Sequence, residues 1–295
     1  MSAVRAILLG TGGSAGVPHI GGPDGHGDWG ACDPGERRNR RTRSSVVLQA
    51  RGSSVLQAHH AGALQARDAG GPPARNDGGH TAGTLLVDTS PDMRAQLLDC
   101  GIAQVDALLF THAHADHILG LDDVRLLNRI AGRPLEAFGT EATLREIADR
   151  FSYAFRPWQP PGFYRPVLVP HAIVPGETIE VGDLRAVTFE QDHGFSRSLG
   201  LRAGPLAYST DAVSLDEAAF AILEGVDTWV VGCFQRGEHR THACLDRVLE
   251  WLVRVRPRRA VLTHMGYDMD WAWLSARLPD WVEPGYDGMV IDAPG

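Results

Sequence analysis

Ala107-Leu108-Leu109-Phe110-Thr111-His112-Ala113-His114-Ala115-Asp116-His117 is an apolar run that stops at a threonine and turns at once into histidines and an aspartate. Four consecutive apolar residues bounded by polar ones read as a buried strand. The residues just past it supply two donor chemistries, imidazole and carboxylate, at positions 112, 114, 116 and 117. A histidine pair alone would carry little weight, because exposed histidines are common. Four ligand-type side chains just past a strand carry more: the strand is a rigid platform, and the irregular backbone behind it turns several side chains toward one point. That donor set suits zinc, with manganese or iron as competitors.

Four ligands do not complete two cation sites, and the chain outward from this run offers three more. His193 follows Val187-Thr188-Phe189, Asp211 follows Ala207-Tyr208-Ser209-Thr210, and His264 follows Ala260-Val261-Leu262-Thr263. Taken singly, each reads equally well as a satisfied polar residue at a strand end. Taken with the nucleating run, they form one candidate set.

The surrounding pattern is α/β. Val4 to Leu9, Ser45 to Gln49, Thr84 to Val87, Ala107 to Phe110, Leu206 to Ser209, Thr228 to Val231 and Ala260 to Leu262 read as buried strands. Between them, Ser90-Pro91-Asp92 opens a helix with a cap, a proline and an early acid, and Gly101 stops it. Leu121 to Ala131, Thr140 to Phe151, Leu215 to Leu223, Cys244 to Val253 and Asp270 to Leu278 also have helical spacing. Strands alternating with helices predict a layered α/β architecture. The whole chain, 1–295, is expected to be one domain, with a loop insertion at 51–83 whose near-repeats (Ser53-Ser54-Val55-Leu56-Gln57-Ala58 after Ser44-Ser45-Val46-Val47-Leu48-Gln49-Ala50) end in glycines and prolines. His59, His60 and His80 fall in it and read as solvated. Residues 155–164, rich in proline and aromatics, read as either a lid or a packed surface loop. The basic run Arg37, Arg38, Arg40, Arg41 and Arg43 reads as solvated, with phosphate binding as the alternative.

Composition narrows the function classes. A formal net charge of -8 argues against a surface built to grip nucleic acid. Cys32, Cys100, Cys233 and Cys244 form no Cys-x-x-Cys pair, so reduced thiols are expected rather than a disulfide framework. The N-terminus lacks a signal peptide's long apolar stretch, and no segment reaches membrane-span length, so a cytoplasmic location without membrane attachment is the expectation.

With those residues in view, the chain resembles the metallo-β-lactamase superfamily, whose signature Thr-His-x-His-x-Asp-His stands here at 111–117. The resemblance implies the superfamily's αβ/βα four-layer sandwich. It implies two divalent metal ions, zinc foremost: His112, His114 and His193 on one, Asp116, His117 and His264 on the other, with Asp211 bridging. It also matches Asp88 to the strand aspartate that orients a metal-bound histidine, against a plain reading as a helix N-terminal acid.

Within the superfamily, Gly10-Thr11-Gly12-Gly13-Ser14-Ala15-Gly16-Val17-Pro18 and Tyr286-Asp287-Gly288-Met289 are similar to the PhnP-type cyclic phosphodiesterases, which cleave phosphoribosyl 1,2-cyclic phosphate. That resemblance assigns His242 as an active-site histidine beside the substrate phosphate, with His239 as its rival, and makes Asp116 and His242 the catalytic candidates. It implies attack on a small-molecule phosphodiester by a metal-bridging hydroxide. The relatives' structural zinc is not expected here, because the N-terminal loop has only Cys32 and Met265-Gly266-Tyr267 follows His264. Transfer-RNA 3′ processing, thioester hydrolysis and a non-catalytic metal-loaded carrier are the competing readings, and the assembly state, monomer or homodimer, stays open.

Overall fold

Along the first strand Val4, Ala6 and Leu8 alternate with Ile7 and Leu9, and the two sets face different cores. The computed structural model describes residues 3–50, 83–160 and 162–295. Strands β1 (Val4–Gly10), β2 (Ser45–Ala50), β3 (Thr84–Val87), β4 (Ala107–Leu109), β5 (Leu135–Gly139), β6 (Leu168–Ala172) and the last strand, β14 (Met289–Ala293), make one sheet. Its order is β14-β1-β2-β3-β4-β5-β6. Strands β7 (Thr178–Val181), β8 (Leu184–Asp192), β9 (Arg197–Ala203), β10 (Leu206–Ser209), β11 (Thr228–Gly232), β12 (Arg259–Thr263) and β13 (Val282–Pro284) make the other, in the order β13-β12-β11-β10-β9-β8-β7.

Residues of period two pointing inward from both sheets, among them Leu48, Leu85, Val87, Leu201, Tyr208 and Val230, fill the space between them. On the outer face of the first sheet lie α1 (Met93–Asp99), α3 (Val124–Ala131) and α4 (Glu141–Arg150), meeting Val47, Leu86 and Leu108. On the outer face of the second lie α5 (Glu217–Leu223), α6 (Leu245–Val255) and α7 (Trp271–Ser275), meeting Trp229, Val231 and Leu262. A short α2 (Ala115–Ile118) follows the β4 end. The result is the four-layer αβ/βα sandwich expected from the sequence.

Side-chain caps open three helices, and the helix that the sequence starts at a cap is displaced. Thr140, Asp216 and Asp270 accept the N–H of Thr143, Ala219 and Trp273 and open α4, α5 and α7. The helix expected at Ser90 starts later, at Met93, because Ser90 turns its hydroxyl to Gln96 and Asp92 takes the Arg43 N–H. The expected helix 121–131 begins as a 3-10 turn, Leu121–Asp123, and ends at Gly132 with φ 66°. Strands β5, β6, β7, β9, β13 and β14 lie outside the apolar runs that the sequence pattern picks out. Glu136, Pro170 and Glu180 interrupt their patterns on exposed edges or faces.

Two surface readings change. The basic run is neither wholly solvated nor a phosphate cradle. Arg41 is 1% exposed and donates to Met269 O, Gly266 O and Asn39 Oδ1. Arg38 pairs with Glu36 and lies over Trp271, and Arg43 pairs with Asp92. Carbonyls gathered from two loops give the Arg41 fork a dry, satisfied site that a solvated run would not provide. Within 155–164, Trp158 stacks on Phe163 at 4.7 Å, and Arg165 donates to Tyr153 O, Arg156 O and Pro157 O. The described part is a packed surface loop. The insertion expected at 51–83, with His59, His60 and His80, falls outside the described residues except for Gly83, whose carbonyl accepts the Ala50 N–H.

Candidate metal centre

Parallel pairing of β3 with β4, and of β10, β11 and β12, brings several strand C-termini to one edge of the sandwich. Loops at such ends converge, and here they carry the candidate ligands. Asp88 leaves β3, the run 111–117 leaves β4, His193 leaves β8, Asp211 leaves β10 and His264 leaves β12. His112, His117, His193, Asp211 and His264 are each at most 3% exposed, whereas His114 is exposed and Asp116 half-buried.

The hydrogen-bond network dictates where the imidazole protons sit. His117 Nδ1 is 2.7 Å from Asp88 Oδ2, an acceptor, so Nδ1 carries the proton. Thr111 spends its hydroxyl proton on the same Asp88 oxygen at 2.8 Å, so it can only accept from His112 Nδ1, 3.0 Å away. His193 Nδ1 donates to Thr241 O at 2.7 Å. Ser44 and Thr210 spend theirs on Gly12 O and Asp211 Oδ2, so both accept from His264 Nδ1. In His112, His193 and His264 this leaves Nε2 without a proton, while His117 Nε2 faces Asp116 Oδ2 and Asp211 Oδ2, each at 3.2 Å. At His112, His117 and His264 that Nε2 is buried with no hydrogen-bond partner.

These lone pairs converge with carboxylates. His112, His114 and His193 have donor atoms within 4.8 Å of one another, as do Asp116, His117 and His264, and His112, His117 and Asp211. Asp211 lies at the centre, its carboxylate 3.2 Å from His117 Nε2, 3.3 Å from His264 Nδ1, 3.6 Å from His193 Nε2 and 3.0 Å from His242 Nε2. All seven sequence-derived ligand candidates are thus brought into one cluster, and Asp88 stands behind it rather than capping a helix.

Charge supports the same reading. Burial pushes His112 and His193 below the ordinary histidine range and His264 down to about 4, so they stay neutral, as metal ligands must. Burial opposes charge on His117 as well, but Asp211, Asp88 and Asp116 outweigh it and lift its pKa. Asp211, whose burial is countered by His264 and His117, is held well below the carboxylate range. Buried carboxylates that draw positive charge onto one imidazole, beside orphaned Nε2 atoms, are the environment a divalent cation satisfies. The donor set therefore fits divalent metal ions.

His242 comes from the 233–244 loop after β11. Its Nε2 is 3.0 Å from Asp211 Oδ1, and its ring stacks on Phe234 at 4.7 Å and on His264 at 5.1 Å. His239 sits behind it, Nδ1 to Nδ1 at 3.1 Å, without reaching Asp211. Of the two rivals, only His242 faces the cluster. Sequence reading missed Ser14, Phe195, Ser196 and Thr241, which line a cavity of about 150 Å³ with His114, Asp116, His193, Asp211 and His242. The signal within reach was Gly194-Phe195-Ser196 directly after a candidate ligand.

A profile of the beta-lactamase superfamily domain matches residues 84–265. A solved structure described as a new diphosphatase from the PhnP family aligns with a TM-score of 0.79 at 29% identity, covering 98% of this chain and 97% of that one. An octanoyltransferase of Porphyromonas gingivalis is 29% identical over 296 residues, 99% of this chain and 52% of that protein. A ribonuclease Z of Methanopyrus kandleri is 28% identical over 116 residues, 37% of this chain and 36% of that protein. The chain spans about half the length, or less, of the curated relatives it matches. Among the described residues no helix is long and apolar enough to cross a membrane.

Proposed function

The chain belongs to the metallo-β-lactamase superfamily, and from that premise we propose that it hydrolyses a small phosphodiester, cyclic phosphodiester or diphosphate linkage with two divalent cations, zinc foremost. His112, His114 and His193 would hold one cation and Asp116, His117 and His264 the other, with Asp211 available to both. When bound, the pair would bring the pKa of a shared water toward neutrality and offset the charge that grows on phosphoryl oxygens.

The remaining chemistry belongs to the chain's own residues. Asp88, through His117 and through the Thr111 hydroxyl behind His112, fixes two imidazoles in the liganding tautomer. Thr241 O does so for His193. Asp116 stays ionised, lowered by His117 against the opposing effect of burial, and orients the attacking water. His242, steadied by Phe234 and the Thr241 hydroxyl at 2.9 Å, gives a proton to the departing oxygen.

One observation carries the reading: His242, which also lies within ligand reach of His193 and Asp211, is directed at the central carboxylate from the cavity wall. A poor alkoxide or phosphate leaving group needs such a donor. The 29% identity and near-complete mutual coverage with a PhnP-family diphosphatase support the same substrate class.

Metal-loaded protein should turn over bis(p-nitrophenyl) phosphate. His114→Ala should lose activity together with bound metal, whereas His242→Ala should keep its metal and lose about a hundredfold in kcat. No turnover by protein carrying two cations would overturn the proposal. A second reading, cleavage of precursor transfer RNA, draws on the partial identity to ribonuclease Z. The net charge of -8 weighs against it, and a precursor-RNA cleavage assay decides it.

A further inference from the structure

The cavity over the ligand cluster, about 150 Å³, opens to solvent, so a substituent on a bound phosphoryl group can extend across its rim. On that rim stands Phe195, 89% exposed. Scattered exposed apolar side chains are ordinary on any surface, but the backbone that carries this one is held in place. The turn 193–196 closes on itself through His193 N–H to Ser196 O, and His193 Nδ1 pins it to Thr241 O. Gly194 N–H donates to Asp192, which also pairs with Arg197. Gly194 itself has φ 75°, and a Cβ there would meet Thr241 Cγ2 at 2.8 Å and Arg240 O at 3.0 Å. Only glycine lets the turn press this closely on the 240–241 backbone, and the pressed turn presents the neighbouring ring to solvent.

A solvent-facing aromatic ring whose backbone is fixed at the mouth of the cavity offers a stacking surface for a substrate group that crosses the rim. We infer that Phe195 stacks against a planar ring of the substrate, a nucleobase or aryl group, held just outside the metal cavity. The inference rests on the hydrolase function proposed for the site and narrows its substrate class to ring-bearing esters.

The test uses two diesters with one leaving group, thymidine 5′-p-nitrophenyl phosphate and methyl p-nitrophenyl phosphate, plus a hexyl analogue. Relative to wild type, Phe195→Ala should lower the thymidine-to-methyl ratio of kcat/KM about tenfold, mainly through KM, and Phe195→Trp should restore it. An unchanged ratio overturns the inference. An equal loss on the hexyl ester overturns it too, because the platform would then recognise apolar surface and not a ring. If wild type hydrolyses none of the three, the hydrolase reading fails separately, and binding of ethenoadenosine 5′-monophosphate decides Phe195. About tenfold weaker binding by the alanine variant upholds the platform, and equal binding removes it.

Discussion

Asp88, Asp211 and His264 leave their strands with φ of 63°, 52° and 53°, in the left-handed region that residues other than glycine enter uncommonly, asparagine, aspartate and histidine more often than the rest. Each such residue stores about 1 kcal/mol or more, and all three lie in or directly behind the ligand cluster. Strain of this kind persists only where the surroundings over-determine it, here through the hydrogen bonds to Thr111, His117 and Thr210. Asp88→Asn keeps the backbone preference but loses one carboxylate oxygen, so the fold should survive while zinc affinity falls about 10- to 100-fold, measured by competition with a chelating dye. Asp287 makes a different prediction. Burial pushes its pKa up to about 6, against four hydrogen bonds from Thr11 and Thr42 that favour the ionised form. A folded-state pKa above that of a free aspartate means stability present at low pH and lost as pH rises through about 6, worth about 3 kcal/mol. In urea titrations of metal-free protein, wild type should lose this increment relative to Asp287→Asn between pH 4 and pH 7. Parallel pH curves for the two would refute it.

At the scale of elements, the metal edge depends on segments with little regular structure. The 28–43 loop and the 266–271 segment after His264 are fastened by one buried polar network. Arg41 reaches Gly266 O and Met269 O, and Asn39 bonds Asp270 Oδ2 and the Trp271 N–H. Removing the guanidinium leaves the buried Met269 O without its donor and takes one of two donors each from Gly266 O, which keeps the Met269 N–H, and Asn39 Oδ1, which keeps the Trp271 N–H. Arg41→Met should therefore lower unfolding free energy by about 3 kcal/mol in urea denaturation, and Arg41→Lys by less. Equal stability of wild type and the methionine variant would mean the network is dispensable. The elements also show what sequence pattern could reach. Thr140 and Asp270 stand at the starts of their helical stretches in the sequence and cap those helices in the structure, because a cap is a local interaction, complete within four residues. The charge of Arg41 was misread because its two backbone carbonyl partners lie more than 200 positions away. The interrupted edge strands escaped for a related reason: their identity comes from the neighbour they pair with, as β6 does through Leu135↔Leu168, more than from their own composition.

For the whole molecule, the ligand set spans both sheets. His112 to His117 extend from the first sheet, and His193, Asp211 and His264 from the second. Cations held there would staple the two halves, and a group that binds only the folded state stabilises it by mass action, about 3 kcal/mol at a hundredfold excess over Kd. Adding zinc to apo protein should raise Tm by several degrees, in step with free zinc concentration, and a chelator should reverse it. A Tm indifferent to both would mean the cluster holds no metal. Closure of the chain ends depends on the same long-range geometry: β14 returns to pair with β1, Val4 opposite Ala293, so the last residues complete the first sheet. By itself, the sequence determined the α/β class, the strand-end position of each ligand candidate and the donor chemistry at 111–117, because alternation, capping and ligand type are written in short stretches. Only the tertiary structure decided that the seven donors share one cluster, that Asp88 and not a helix cap holds His117, and that His242 rather than His239 faces Asp211. Those outcomes depend on which strand ends the two sheets bring together, and convergence across 150 residues is a property of packing that no local pattern encodes.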